Sequence, residues 1–192
     1  EVVDLLGNLV TKSLLVRLPR PSGPARFRML ETLRQYAAER LGDGPEAHAL
    51  RARHAGWYLY RCEESSANRF GQGWRRWLER LEEEHDDCRA ALRWLIDEPD
   101  ADLALRLATA LWRFWDYHYL TAEGRAWLDR ALALSGGSND LRRRALAGSA
   151  YLCWMDDDLD GAFARCAEGL RLPGTGDDPA GRAALLLIQA EV

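Results

Sequence analysis

The sequence predicts a mainly helical protein with one two-stranded hairpin near its start and a run of antiparallel helix pairs toward its end. Three observations carry this. Apolar residues recur at helical spacing through most of the 192 residues. Three prolines and a glycine within residues 19–25 separate two short apolar stretches. Beyond residue 100, amphipathic segments joined by short turns follow one another in pairs.

Residues 2–10 read as the end of an amphipathic helix. Residues 13–18 are a strand candidate, and residues 26–30 its return strand, because the proline-rich turn between them cannot continue a ladder. A two-stranded hairpin is marginal alone and must pack against helices, which places residues 31–41 in the same unit. Gly42 is a helix stop, and Gly44-Pro45 opens a helix running to about Asn68. Gly71 and Gly73 are expected to break it. Trp74, Trp77, Leu78, Leu81, Cys88, Leu92 and Leu95 then trace one stripe, with a break expected near His85-Asp86. Asp100 caps the next segment. There Ala104, Leu107, Ala108, Leu111, Trp112 and Trp115 give the clearest helical periodicity of the chain. Gly124, Trp127, Leu128, Ala131 and Leu132 repeat it one helix later. Ser135 to Ser138 is a turn, and helices are expected at about 139–155, 159–171 and 179–191. Pairs that cannot bury a face alone but can stack on neighbours make a solenoid. Helix, strand, turn, strand, helix is the order of a winged helix, whose wing is the hairpin, so the division expected is the C-terminal part of a winged-helix domain at 1–45, a helical linker or start of the repeats at 46–99, and truncated helical repeats at 100–192.

Composition narrows the function. Hydrophobic residues make up 47% and charged residues 29%, so the chain can bury a core. A net charge of -4 is the wrong sign for a protein that coats nucleic acid. No apolar run approaches the roughly 20 residues needed to span a bilayer, and a cytoplasmic location is expected. The first residue is Glu1 and the last helical pattern runs to Val192, so the natural protein is expected to continue in both directions. Lysine occurs once, at Lys12, among 26 basic residues, a bias that a GC-rich bacterial genome produces. Cys62, Cys88, Cys153 and Cys166 contain no C-x-x-C pair and read as buried free thiols. Phosphate-cradling, dinucleotide, zinc-protease and serine-hydrolase motifs are all missing, so no catalytic, cofactor or metal residue is assigned and no enzymatic role is expected within these residues. His48, His54, His85 and His118 are scattered. The acidic run 82–87 reads as a solvated helix face, and Arg142 to Arg144 as a weak anion site at most. Trp74/Trp77 and Trp112/Trp115 lie three apart and read as helix packing, with an exposed aromatic surface as the alternative.

Two stretches carry a resemblance: DLLGNLVTKSLL at 4–15 with RFRMLETLRQYAAERL at 26–41, and WLERLEEEHDDCRAALRWLIDEPD at 77–100 with the thirty residues from Leu103 to Leu132. Together they resemble the bacterial STAND-type regulators, in which a nucleotide-binding NB-ARC module precedes a winged helix and tetratricopeptide-like (TPR-like) repeats. The resemblance implies a partial winged helix with a two-stranded wing, followed by an antiparallel TPR-like solenoid. It implies a regulatory region of a signal-responsive ATPase, acting in transcription, with ATP or ADP held by a module upstream of Glu1 and DNA contacted only through other domains. A stand-alone TPR-like scaffold is the alternative, and a Walker motif encoded upstream would separate the two. Relatives carry Met-His-Asp after the wing, with the histidine sensing nucleotide. The matching positions here are Met29, Leu30 and Glu31, and Leu30 cannot bond a phosphate. Arg28 and Glu31 are candidate interdomain contacts with that module. A DNA-reading role for this winged helix is weaker, because residues 1–10 hold no Lys or Arg, although the wing carries Arg17, Arg20, Arg26 and Arg28. Tyr119 stands where relatives often have glycine, so that turn is expected to be distorted.

The family's register puts repeat starts near Leu105 and Arg143. The groove positions then fall on Arg106, Thr109, Arg113, Asp116 and Tyr117, and on Arg144, Ala147, Tyr151, Trp154 and Met155. This face is the expected site for a protein, a peptide or a small signalling ligand.

Overall fold

A computed structural model describes residues 2–19, 25–66, 72–173 and 178–191. Among them it places nine helices and one antiparallel hairpin, in two compact units of residues 1–50 and 51–192.

In the first unit, α1 (Val2–Thr11) leads into β1 (Leu15–Leu18), β2 (Arg26–Met29) and α2 (Glu31–Leu41). Ser13 closes α1 at a positive φ of 58°, with the Leu14 amide donating to the Leu9 carbonyl at 2.9 Å. The hairpin runs in the register Leu15↔Met29 to Leu18↔Arg26, matching the expected bounds at the turn and shorter than expected only at its open end. Arg20 and most of the proline-rich turn lie outside the described residues. Gly42 ends α2 at φ +62°, the left-handed conformation that makes glycine the stop signal.

The second unit holds most of α3 (Pro45–Ser66) and all of α4 (Gln72–Asp97), α5 (Ala101–Tyr117), α6 (Thr121–Ala133), α7 (Asn139–Met155), α8 (Leu159–Arg171) and α9 (Pro179–Glu191). Four of these, α5, α7, α8 and α9, start within a residue or so of the expected positions because their signals are chemical. Asp100, Ser138 and Asp158 each accept a hydrogen bond from the amide three residues on, and Asp178 does the same for Gly181. From α5 the helices come in pairs whose period is 38 residues: Ala101 recurs as Asn139, and Thr121 as Leu159.

Three expectations are corrected. The helix break expected at Gly71 and Gly73 falls between Ser66, where α3 ends, and Gln72, where α4 begins, with Gly71 outside the described residues, but Gly73 itself lies inside α4. Nor is there a break near His85-Asp86, through which α4 runs without interruption. His85 continues the apolar stripe because its polarity is satisfied: the Trp115 indole Nε1 donates to its Nε2 at 3.3 Å. The acidic run separates around the helix, with Glu84 near Arg61, Asp86 on Arg89, and Asp87 accepting from the Tyr58 hydroxyl at 3.0 Å. The turn at Tyr119 is also regular. Tyr119 (φ 56°) and its equivalent Asp157 (φ 58°) adopt the same left-handed step, and Leu120 and Asp158 both donate to the carbonyl five residues back, at 2.8 and 2.9 Å.

One core runs from Leu59 and Cys62 of α3 through Leu92 and Leu95 of α4 to Trp115, Leu128 and Leu152. Residues 51–97 thus belong to the same packed body as the pairs that follow. Trp115 has no exposed surface, and burying a side chain of its size supplies roughly 5 kcal/mol before entropy is counted. A smaller cluster of Ala147, Ala150, Cys166, Leu185 and Ile188 joins α7, α8 and α9. All four cysteines are buried free thiols; Cys62 and Cys88 face each other at 3.9 Å.

Candidate functional site

A repeat of 38 residues that preserves helix length also preserves which face each position presents. The first helices of successive pairs, α5, α7 and then α9, lie beside one another and enclose an open cavity of about 720 Å³. Thr109, Trp112, Arg113 and Asp116 reach it from α5, and Arg144, Ala147, Tyr151 and Trp154 from α7. Ala184, Leu187, Ile188 and Glu191 reach it from α9, with Asp178 at that helix's start.

Seven of the ten groove positions assigned from the sequence therefore meet around one space: Thr109, Arg113, Asp116, Arg144, Ala147, Tyr151 and Trp154. The other three do not. Arg106 turns to α3, where its Nε and a terminal nitrogen donate to the two Glu63 oxygens at 2.7 and 2.6 Å. Tyr117 and Met155, at the ends of α5 and α7, are about half exposed and lie outside the lining. In the first unit, Arg28 is exposed on β2, opposite Val16. Glu31 is bound within its own helix by Arg34 at 2.7 Å and Gln35 at 3.2 Å.

The aromatic side of the cavity depends on a glycine. A Cβ on Gly148 would sit 3.0 Å from Cγ of Trp112, so its absence lets the indole lie a few tenths of an ångström closer to α7 than a larger residue would. The Trp112 and Tyr151 rings are then 5.1 Å apart, and Tyr151 meets Trp154 edge-on at 5.7 Å. The Arg113 guanidinium lies 4.4 Å over the Trp112 ring. Burial pushes the Asp116 carboxyl above its ordinary value, and the neighbouring Arg113 only partly offsets it. Burial, and then the Asp116 carboxylate, push the Tyr151 phenol up. Arg144 Nε donates to Asp178 Oδ1 at 2.9 Å, and that carboxylate is nearly inaccessible.

The basic run 142–144 is consumed by structure. Arg142 donates to the carbonyls of Leu132, Leu134 and Gly136 at the end of α6, and Arg143 to Asp140 and the Leu172 carbonyl. Sequence reasoning missed Trp112, whose helical stripe looked wholly internal, and the α9 wall. The signal for α9 was present: Asp178-Pro179 opens it 40 residues after α7 begins, close to the 38-residue period. Among the described residues no cluster of His, Cys, Asp and Glu has the arrangement of a metal site, and no helix is long and apolar enough to cross a membrane.

The chain is similar to three curated proteins, each named "Putative HTH-type transcriptional regulator": one from Mycobacterium bovis and two from strains of Mycobacterium tuberculosis. Each is 35% identical over 191 residues, an alignment that takes in 94% of this chain and 21% of the relative. The chain thus spans about a fifth of the length of these relatives. No model of a known protein family matches it, and no solved structure does.

Proposed function

We propose that this chain is the regulatory, partner-receiving region of a signal-responsive bacterial transcriptional regulator of the STAND type. In this reading the groove on α5, α7 and α9 takes the signal, as a protein, a peptide or a small ligand. The hairpin-bearing first unit is the end of a winged helix that couples the repeats to a nucleotide-binding module encoded upstream. Chemistry on ATP and contact with DNA belong to other parts of the protein, which works in the cytoplasm. The observation that carries the proposal is the concave face itself. Three helices at near-constant spacing bring arginine, tyrosine and tryptophan, the side chains that dominate binding interfaces, around one cavity. The relatives' names support the link to transcription.

The test uses the full-length protein in its own host. Transcripts that differ between the wild-type strain and a deletion strain define the regulated genes. A Tyr151→Ala, Trp154→Ala double variant, expressed at wild-type level, should leave those genes in the deletion pattern. Wild-type transcription from that variant would refute the groove as the receiving surface. A reading frame with no phosphate-binding loop upstream of Glu1 would favour the stand-alone scaffold instead.

A further inference from the structure

Most of the charges around the groove offset one another. Five ionisable side chains among those lining it are Arg113, Asp116, Arg144, Asp178 and Glu191. Arg144 is bonded to Asp178 at 2.9 Å. Arg113 stands three residues before Asp116 on the same face of α5, close enough to pull that carboxyl back toward its ordinary value. Glu191 remains, at the far end of α9. An anionic ligand would have to break a pair or leave its own charge poorly matched in a half-buried cavity, and a cationic one would find only Glu191, exposed at the end of α9, where an ion pair contributes little.

The walls are apolar and suit a flat group. Tyr151, with Trp112 and Trp154 on either side, forms one wall. Leu187 and Ile188 of α9 form another, and Leu187 is 69% exposed, an aliphatic side chain with surface still to bury. The volume of about 720 Å³ falls among cavities that hold small organic molecules. A peptide fits less well. Its backbone amides and carbonyls need partners along their whole length, whereas no strand edge lines this groove, and among the described residues the buried side-chain polar atoms left without a partner on its lining are two, Thr109 Oγ1 and Asp178 Oδ2.

We propose that the groove's ligand is a small, uncharged, ring-bearing organic molecule, seated between the Tyr151–Trp154 wall and Leu187. This rests on the reading of the groove as the receiving surface and adds the chemical class of what it receives.

Two dyes that differ by one charge test it on the 192-residue chain. N-phenyl-1-naphthylamine is neutral; 1-anilinonaphthalene-8-sulfonate carries the same ring systems with a sulfonate. The neutral dye should bind about tenfold tighter than the sulfonate. Either Trp154→Ala or Leu187→Asp should weaken the neutral dye roughly tenfold, the loss expected when one large apolar contact is removed. Leu187 is too exposed for its substitution to unfold the chain, and helical circular dichroism should stay unchanged. Trp57→Ala, on the exposed side of α3, should leave binding as it was. If the sulfonate binds tighter and loses affinity on Arg113→Gln, the groove receives ligands but reads anions, and the class proposed is wrong while the receiving surface stands. If neither dye responds to Trp154→Ala or Leu187→Asp, both readings fall.

Discussion

Replacing Gly124 with alanine should destabilise the second unit, and replacing Gly56 with alanine should stabilise it. Both glycines lie inside helices, where alanine is favoured by about 1 kcal/mol. They differ in what a Cβ would meet. At Gly56 nothing lies within 4 Å. At Gly124 the new carbon would stand 2.7 Å from Cδ1 of Leu152 and 2.9 Å from Cβ and Cε3 of Trp115. Carbon atoms rest at about 3.5–4.0 Å, so the neighbours must retreat by roughly 1 Å. Leu152 and Trp115 have no exposed surface and nowhere to go. Overpacking of this kind costs about 1–3 kcal/mol, which outweighs the gain in helix propensity and leaves a net loss of about 1 kcal/mol. Urea unfolding followed by circular dichroism at 222 nm would read a lower midpoint for Gly124→Ala and a higher one for Gly56→Ala. If Gly124→Ala proved as stabilising as Gly56→Ala, α6 would not press against α5 and α7, and the packing that sets the groove's helices side by side would be misdescribed.

Tyr119→Gly should raise stability by about 1 kcal/mol, because a left-handed conformation strains an L-residue and Tyr119 is almost fully exposed; Asp157→Gly, at the equivalent turn, should gain less, since aspartate tolerates that region. Burial lowers the His85 pKa below its ordinary 6.5, against the pull of Glu123, so the folded chain resists protonation more than the unfolded one. Stability should therefore be full above pH 6.5 and fall as pH drops toward the folded-state value, by at most about 1.4 kcal/mol per unit, and His85→Gln should flatten that slope in chemical unfolding. Asp178→Ala removes both the α9 cap and the Arg144 partner, and should cost about 1–2 kcal/mol, seen as faster amide exchange confined to α9. The chain by itself should bind neither ATP nor ADP in calorimetry, and its DNA binding should be weak and salt-sensitive, as a few wing arginines allow; micromolar nucleotide binding or sequence-specific nanomolar DNA binding would contradict the proposed division of labour.

Where a helix begins was legible because it is written in local chemistry. Asp100 carries a capping signal, the turn 135–138 and the Asp178-Pro179 pair mark two further starts, and the structure begins α5, α7 and α9 there. The hairpin was legible for the converse reason, since prolines between apolar stretches leave few other arrangements. The errors arose where a long-range contact decides. His85 looked like an interruption because the sequence does not show that Trp115, thirty residues on, donates to it. The turn at Tyr119 looked distorted because an aromatic residue is a poor left-handed former, yet the flanking hydrogen bonds hold it in the geometry of Asp157. The groove was legible in part. A register carried from one repeat to the next brings Arg113, Asp116, Tyr151 and Trp154 together, because the 38-residue period conserves facing. It could not say that Glu63 on α3 captures Arg106, nor that Gly148 opens the space in which Trp112 faces the cavity.

The central claim is that the second unit receives its ligand on the face shared by α5, α7 and α9, and the eight tryptophans report on it directly. In a spectrum of the nitrogen-15-labelled indole groups, titration with N-phenyl-1-naphthylamine should shift the signals of Trp112 and Trp154, which line the cavity. The signals of Trp57, Trp74, Trp77 and Trp94, on α3 and α4, should stay in place. Shifts at α3 and α4 with Trp112 and Trp154 unmoved would put the binding surface elsewhere and contradict the account.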